Sequence, residues 1–350
     1  MQEREGDKAM NSYERALATL EGRIPDRVPT FEIMIDPKVI KGLMGYDDYM
    51  DFCDYIDMDI VVTSTPSSLY RNMPVDESRG IYRNEWGTVR QYGAEVVPSV
   101  LEVPLKDVAD IYEYTPPDPY DEYRYTQLKD LLKRFKGKRL VGMHLHDSFN
   151  YPYYLRGMED LFMDMFDDPE AVHHLVDITV DHNIAIAERA IDLGADFILL
   201  GDDYGGGDSL LISPNQFKEF FLPGFEKIVD SIKSKGALCI KHCCGNINSI
   251  LDEMVDAGID ALHPLDPSAG MDIVAVKEKY KDLTVIGGIN CYEPLCEYTL
   301  DELKAGVKNV MGQAAPGGRY IMASSNSIHS DVKPENFKAM QEYAKKYGKY

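Results

Sequence analysis

Long apolar runs are missing: none approaches the roughly 18–20 residues that a membrane-spanning helix needs, so no membrane association is expected. The start, Met1-Gln2-Glu3-Arg4-Glu5-Gly6, has none of the basic-then-apolar pattern of a secretion signal, which makes the cytoplasm the expected location. Cysteine is sparse, with six in 350 residues (Cys53, Cys239, Cys243, Cys244, Cys291 and Cys296). In a long chain without a secretion signal these read as reduced thiols, not as a disulfide framework. Positive charge is in deficit: 37 Lys and Arg against 59 Asp and Glu give a net charge of −22. That balance repels nucleic acid and disfavours a polyanionic ligand outside a local basic pocket. There is no dinucleotide-binding glycine fingerprint and no P-loop, and Gly205-Gly206-Gly207 and Pro316-Gly317-Gly318 read as turns.

What is present is a core and a rhythm. Hydrophobic residues make up 44% of the chain, enough for an enzyme-sized globule and too many for disorder. Residues 9–23 carry Leu and Ala at helical spacing, and Ile24-Pro25-Asp26-Arg27-Val28-Pro29 then breaks the helix. Thereafter apolar, β-branched runs end in polar residues and are followed by amphipathic segments. Eight such runs occur: 28–34, 58–64, 139–146, 196–203, 237–244, 261–266, 283–290 and 320–328. Helices are clearest over 246–257, 301–311 and 334–346, the last opened by Pro334 and Glu335. Eight strand-helix alternations predict an α/β chain folded as a single-domain (β/α)8 TIM barrel over 1–350. Residues 1–23 would be an N-terminal helical extension, and about 66–138, where the rhythm lapses, an insertion after the second strand that caps one barrel end with a small hairpin.

In such barrels chemistry gathers at the carboxyl ends of the strands. Here those ends carry Glu32, Ser64, His144, His146, Asp147, Asp202, Asp203, His242, Cys244, His263, Asp266, Asn290, Asn326 and His329. Lys241-His242-Cys243-Cys244-Gly245-Asn246 stands out, because period two puts His242 and Cys244 on one side of the strand, a donor pair suited to zinc. Either residue alone is equally a buried thiol or a hydrogen-bonded histidine. In Asp202-Asp203-Tyr204 one carboxylate could bind a metal or act as a base, or cap the next helix. His144 and His146 could bind substrate or relay a proton, or serve as core and surface histidines. Tyr151, Tyr153 and Tyr154 could line an aromatic pocket.

Several motifs together resemble the uroporphyrinogen decarboxylase superfamily, which holds that decarboxylase and cobalamin-linked, corrinoid-dependent methyltransferases. They are Pro25-Asp26-Arg27-Val28-Pro29, Asn84-Glu85-Trp86-Gly87, Ser213-Pro214 with Phe220-Phe221-Leu222-Pro223, His242-Cys243-Cys244-Gly245-Asn246, and Pro334-Glu335-Asn336. The resemblance implies the same barrel. The decarboxylases carry an arginine-containing segment after the first strand; Phe31-Glu32-Ile33-Met34-Ile35-Asp36 offers acids there, which would repel an eight-carboxylate substrate. The methyltransferase branch binds zinc through a His-X-Cys pair that maps onto His242 and Cys244. Where members that methylate coenzyme M add a further cysteine, this chain has Asn326.

A site with fewer thiolates is a stronger Lewis acid, suited to polarising a methyl ether. The implied activity is zinc-dependent transfer of a methyl group from a small methylated substrate to the cobalt of a corrinoid (cobalamin) carried by a partner protein, since no Asp-X-His-X-X-Gly corrinoid motif occurs in the chain. Asp202, His146 and Glu32 are the catalytic candidates; His144, Tyr204, Asn290, Asn326 and His329 are the substrate contacts; Asp202, Glu32 or His329 would complete the metal site. A homodimer is compatible with this reading. The alternatives are a metal-free decarboxylase-like lyase, a methylcobamide:thiol methyltransferase, and an inactive binding barrel.

Overall fold

A computed structural model describes residues 10–65, 72–93 and 98–350; Met1–Gly6 lies outside these, as does part of the expected insertion. The strands, in chain order, are β1 (Ile60–Ser64), β2 (Met73–Asp76), β3 (Ile81–Arg83), β4 (Val89–Gln91), β5 (Ser99–Glu102), β6 (Leu140–Leu145), β7 (Phe197–Leu200), β8 (Leu238–His242), β9 (Ala261–Leu265), β10 (Thr284–Ile289) and β11 (Tyr320–Ser324). Seven of them form one parallel sheet in the order β1-β6-β7-β8-β9-β10-β11, each element pairing with the next in the chain. Both faces of the sheet are buried, which is why these strands read as nearly continuous apolar runs. Ile60, Val62, Phe197, Leu199, Ile240 and Ile321 fill the barrel centre. The alternate residues, among them Ile198, Leu200, Cys239 and Leu262, join the larger apolar layer under the surrounding helices.

The first expected run, 28–34, is not a regular strand, yet it occupies the eighth position and closes the ring. Met322 N donates to Pro29 O (2.9 Å) and Phe31 N to Met322 O (3.0 Å), while Asp59 N donates to Thr30 O (3.2 Å) on the other side. The ladder is thin because Pro29 has no N–H and because two carboxylates take ladder amides. Asp59 Oδ2 accepts from Thr30 N at 2.9 Å, and Glu32 Oε1 accepts from Ser324 N at 3.0 Å. The result is the TIM-barrel-like α/β fold read from the sequence.

The segment between β1 and β6 departs from the expected hairpin. It forms a four-stranded antiparallel sheet, β2-β3-β4-β5, followed by short helical turns. Thr126–Phe135, which lay inside the expected insertion, is the barrel helix that returns from β1 to β6 and packs on both. The opposite end of the barrel is plugged by the helix Ser12–Leu20, which a reciprocal Asn11–Glu14 capping box starts. Its buried Arg15 binds Asp26 and Asp59 (2.6 Å each), and Tyr13 N reaches Lys138 O, both at the amino ends of strands. Among the described residues no helix is long and apolar enough to cross a membrane.

Candidate metal centre and its cavity

β8 ends at His242, and two residues on, the Cys244 thiol returns to the same side. Cys244 Sγ lies 3.4 Å from His242 Nε2. The loop after β7 brings the third donor: Asp203 Oδ1 lies 3.5 Å from His242 Nε2 and accepts from Cys244 N at 2.7 Å. One ligand atom from each residue falls within 4.8 Å of the others. Tetrahedral zinc with its usual N, O and S bond lengths would set N–O at about 3.4 Å and N–S at about 3.6 Å, close to the two distances seen from His242 Nε2. Two backbones must touch to hold this arrangement. Gly245 adopts φ +79°, and a Cβ there would sit 2.0 Å from Gly206 O, so the Gly205-Gly206-Gly207 loop serves this close approach and is no phosphate cradle.

The imidazole of His242 is set from behind. Its Nδ1 lies 2.7 Å from His263 Nδ1, leaving Nε2 for the ligand position. Burial, with Lys241 adding to it, pulls His242 down to about 3, and burial holds His263 well below the ordinary histidine range, so both are neutral. Burial, then Asp203, pushes the Cys244 thiol up, so it is a bound cation that would favour its thiolate.

His242 and Asp203 open on a cavity of about 340 Å³ at the carboxyl ends of the strands. His144, His146, Asn150, Tyr151, Tyr154 and Asn326 also line it, and the antiparallel sheet supplies a wall that includes Asn84, Trp86, Arg90 and Tyr92. Trp86 stacks on Tyr151 with centroids 3.9 Å apart. His144 Nδ1 meets Ser64 Oγ at 3.3 Å, while its Nε2 is buried without a partner. A Cβ on Gly201 would come 2.0 Å from that nitrogen, so glycine is required there. Burial keeps His144 neutral.

The family model for uroporphyrinogen decarboxylase (URO-D) matches residues 85–347. The chain belongs to the URO-D family. It is 25% identical over 256 residues to a uroporphyrinogen decarboxylase of Pseudoalteromonas atlantica, 70% of each protein being covered. It is 27% identical over 260 residues to the methylcobamide:CoM methyltransferase MtbA of Methanosarcina mazei, covering 71% of this chain and 72% of that protein. A solved methyltransferase from Methanosarcina mazei superposes with a TM-score of 0.77 at 19% identity, over 97% of this chain and 99% of that one, which is a likeness of fold.

In this URO-D family chain the other expected site residues fall into two groups. His146 stays at the cavity. Its Nδ1 lies 2.8 Å from Asp202 Oδ1, and its ring meets Tyr151 edge-on, centroids 4.9 Å apart. Asp202 is behind it, fully buried, accepting from Phe149 N (2.7 Å) and Asn150 N (2.9 Å). Burial alone would raise this carboxyl, but the His146 contact, Lys241 and the amides at the helix start hold it well below the ordinary range. Asp202 thus orients His146, and it is Asp203 that turns toward His242 and Cys244.

The second group sits outside the cavity wall. Tyr204 is buried, its hydroxyl 2.5 Å from Asp147 and 2.8 Å from Ser148. Asp147 also takes Lys241 Nζ at 2.5 Å in a fully buried ion pair that ties β8 to the loop after β6. Asn290 donates to Ser268 Oγ (3.0 Å), and His329 Nε2 is 3.7 Å from Cys296 Sγ. Glu32, flanked by the inward Phe31 and Ile33, points outward, where it meets Ser324 and Gln341 in full burial. Asp36 caps the helix Pro37–Met44. Neither acid faces the cavity, so the expected repulsion of a carboxylated substrate by Glu32 and Asp36 has no geometric basis. The sequence reading passed over Arg90, Asn150, Tyr92 and Trp86 as site residues; Trp86 alone carried a signal, as the single tryptophan of the chain.

Proposed function

We propose that the chain is a corrinoid-dependent methyltransferase that takes a methyl group from a small methylated donor, a methyl ether by preference, with zinc held by Asp203, His242 and Cys244. The observation that carries this reading is the imidazole-thiol-carboxylate set, two members of which, His242 and Asp203, line the cavity. Kinship with methylcobamide:CoM methyltransferases supports a corrinoid as one partner in the methyl transfer, which a separate protein would bring to the barrel mouth. Bound there, zinc would supply Lewis acidity at the ether oxygen. The residues of the chain do the rest. His263 fixes the ring of His242, and Asp202 fixes that of His146, whose Nε2 would face the ether oxygen and deliver the proton it needs on leaving. One thiolate beside a carboxylate, with Asn326 where coenzyme M methylating members have a cysteine, favours donor activation over thiol methylation.

The decarboxylase reading draws on equally strong sequence kinship. Against it stands the cavity: about 340 Å³ is small for a tetrapyrrole with eight carboxylates, and Arg90 is the only Lys or Arg among its described lining residues. The test is metal content by mass spectrometry on protein purified without added metal, with methyl transfer from methoxylated donors to reduced corrinoid. Near one zinc per chain is expected, with clear loss in Cys244→Ser, Asp203→Ala and His242→Ala. Full metal and full transfer in His242→Ala would end the site assignment, and decarboxylation of a porphyrinogen would replace the reading.

A further inference from the structure

Arg90 enters the cavity from β4, where register sets it opposite Tyr82 on β3 and Val100 on β5. Its guanidinium carbon lies 4.1 Å from the centroid of the Tyr154 ring, which holds the planar fork in place. Among the described residues no carboxylate pairs with it, and its Nε, closed off from solvent, has no acceptor. A net charge of −22 means that acids are not scarce, so this unpaired cation is conspicuous. The nearby acid in the wall, Glu85, is already taken in two-pronged fashion by Arg124 at 2.6 and 2.8 Å. Asp203, the other acid of the wall, belongs to the metal set. A partly desolvated guanidinium left unpaired is costly unless a ligand completes it, and its fork matches a carboxylate.

We propose that Arg90 is the anion receptor of the cavity and that the methyl donor is a small aromatic carboxylate, its carboxylate on Arg90 and its ether oxygen toward Asp203, His242 and Cys244. The identity of the ligand as a methyl donor rests on the methyltransferase reading; the anion receptor does not. The aromatic wall of Trp86, Tyr151 and Tyr154 suits a ring, and a cavity of about 340 Å³ suits a single-ring compound. This reverses the sequence-based view of the site as hostile to carboxylates.

Trp86, the one tryptophan, lies in the cavity wall, so its fluorescence reports binding without metal, corrinoid or turnover, and calorimetry checks the same titration. The probes are 3-methoxybenzoate, its neutral isostere 3-methoxybenzamide, and methoxyacetate as the ringless acid. The benzoate should bind at least about ten-fold tighter than the amide. Arg90→Gln should abolish that difference, and Arg90→Lys should restore part of it, with circular dichroism confirming that both variants fold. Equal binding of benzoate and amide, unchanged benzoate affinity in Arg90→Gln, or binding of neither would overturn the receptor. Tighter binding of methoxyacetate than of the benzoate would overturn the aromatic assignment. The two readings fail separately. Arg90-dependent binding with no methyl transfer from any donor removes the methyltransferase and keeps the receptor; transfer from neutral ethers alone, equal in parent and Arg90→Gln, does the reverse.

Discussion

Glu32→Gln should make the protein more stable at neutral and alkaline pH. Glu32 is fully buried, and burial lifts its carboxyl from the ordinary 4.5 to about 8 against the hydrogen bonds from Ser324. Its surroundings suit a protonated acid. Oε1 accepts from Ser324 N (3.0 Å) and Gln341 Nε2 (3.4 Å), while Oε2 lies 2.6 Å from Ser324 Oγ, which also reaches Asn326 O at 2.8 Å. The serine has one proton, so if it donates to Asn326 O, Glu32 must donate to Ser324 Oγ, which satisfies both the serine and the acid. A raised folded value means that the native state keeps a proton the unfolded state gives up. Stability from this group is therefore complete below about 4.5 and is lost as pH climbs to about 8. The span of 3.5 (8 − 4.5) at about 1.36 kcal/mol per pH unit gives roughly 5 kcal/mol as the full loss, of which roughly 3 kcal/mol is felt at pH 7. Glutamine reproduces the protonated form, its amide donating to Ser324 Oγ, and does not titrate. Urea unfolding followed by circular dichroism from pH 4.5 to 9 should show the Gln variant pulling ahead of the parent as pH rises. Parallel stability curves for the two proteins would refute the assignment of a neutral, structural Glu32.

Lys241→Met leaves Asp147 buried without its cation and should cost about 3–5 kcal/mol, with Asp147→Asn in the same chain recovering part of the loss; a loss under about 1 kcal/mol by denaturant titration at pH 8 would contradict the pairing. Gly245→Ala forces a side chain onto φ +79° and a Cβ to 2.0 Å from Gly206 O, so the loop must shift and metal content should fall sharply while the barrel still folds; retention of full metal would show that the Gly205–Gly245 contact does not set the site.

The barrel was legible in the sequence because both faces of its parallel strands are buried, leaving apolar runs that period and length betray. His242 and Cys244 were legible for a related reason: a spacing of two is local, and local geometry alone places both on one side. The loop after β7 was harder, since Asp202 and Asp203 are indistinguishable as letters. Which of them meets the metal position depended on where the backbone amides of residues 149 and 150 and the ring of His146 stood to claim Asp202. Glu32 was misplaced because a weak first strand gives no clean alternation, and only its neighbours Phe31 and Ile33 in the barrel centre fix its outward direction. The sheet from 73 to 102 has short strands with exposed residues, so its pattern was faint, and its contribution of Trp86 and Arg90 to the cavity is a contact between segments far apart in the chain. Sequence by itself determined the repeating strand and helix layers and the donor pair at one strand end, because those follow from period and burial. Tertiary structure decided the third candidate donor, the neutral outward acid and the arginine that no carboxylate of the described residues pairs, because each depends on which distant groups have already taken the available hydrogen bonds and charges.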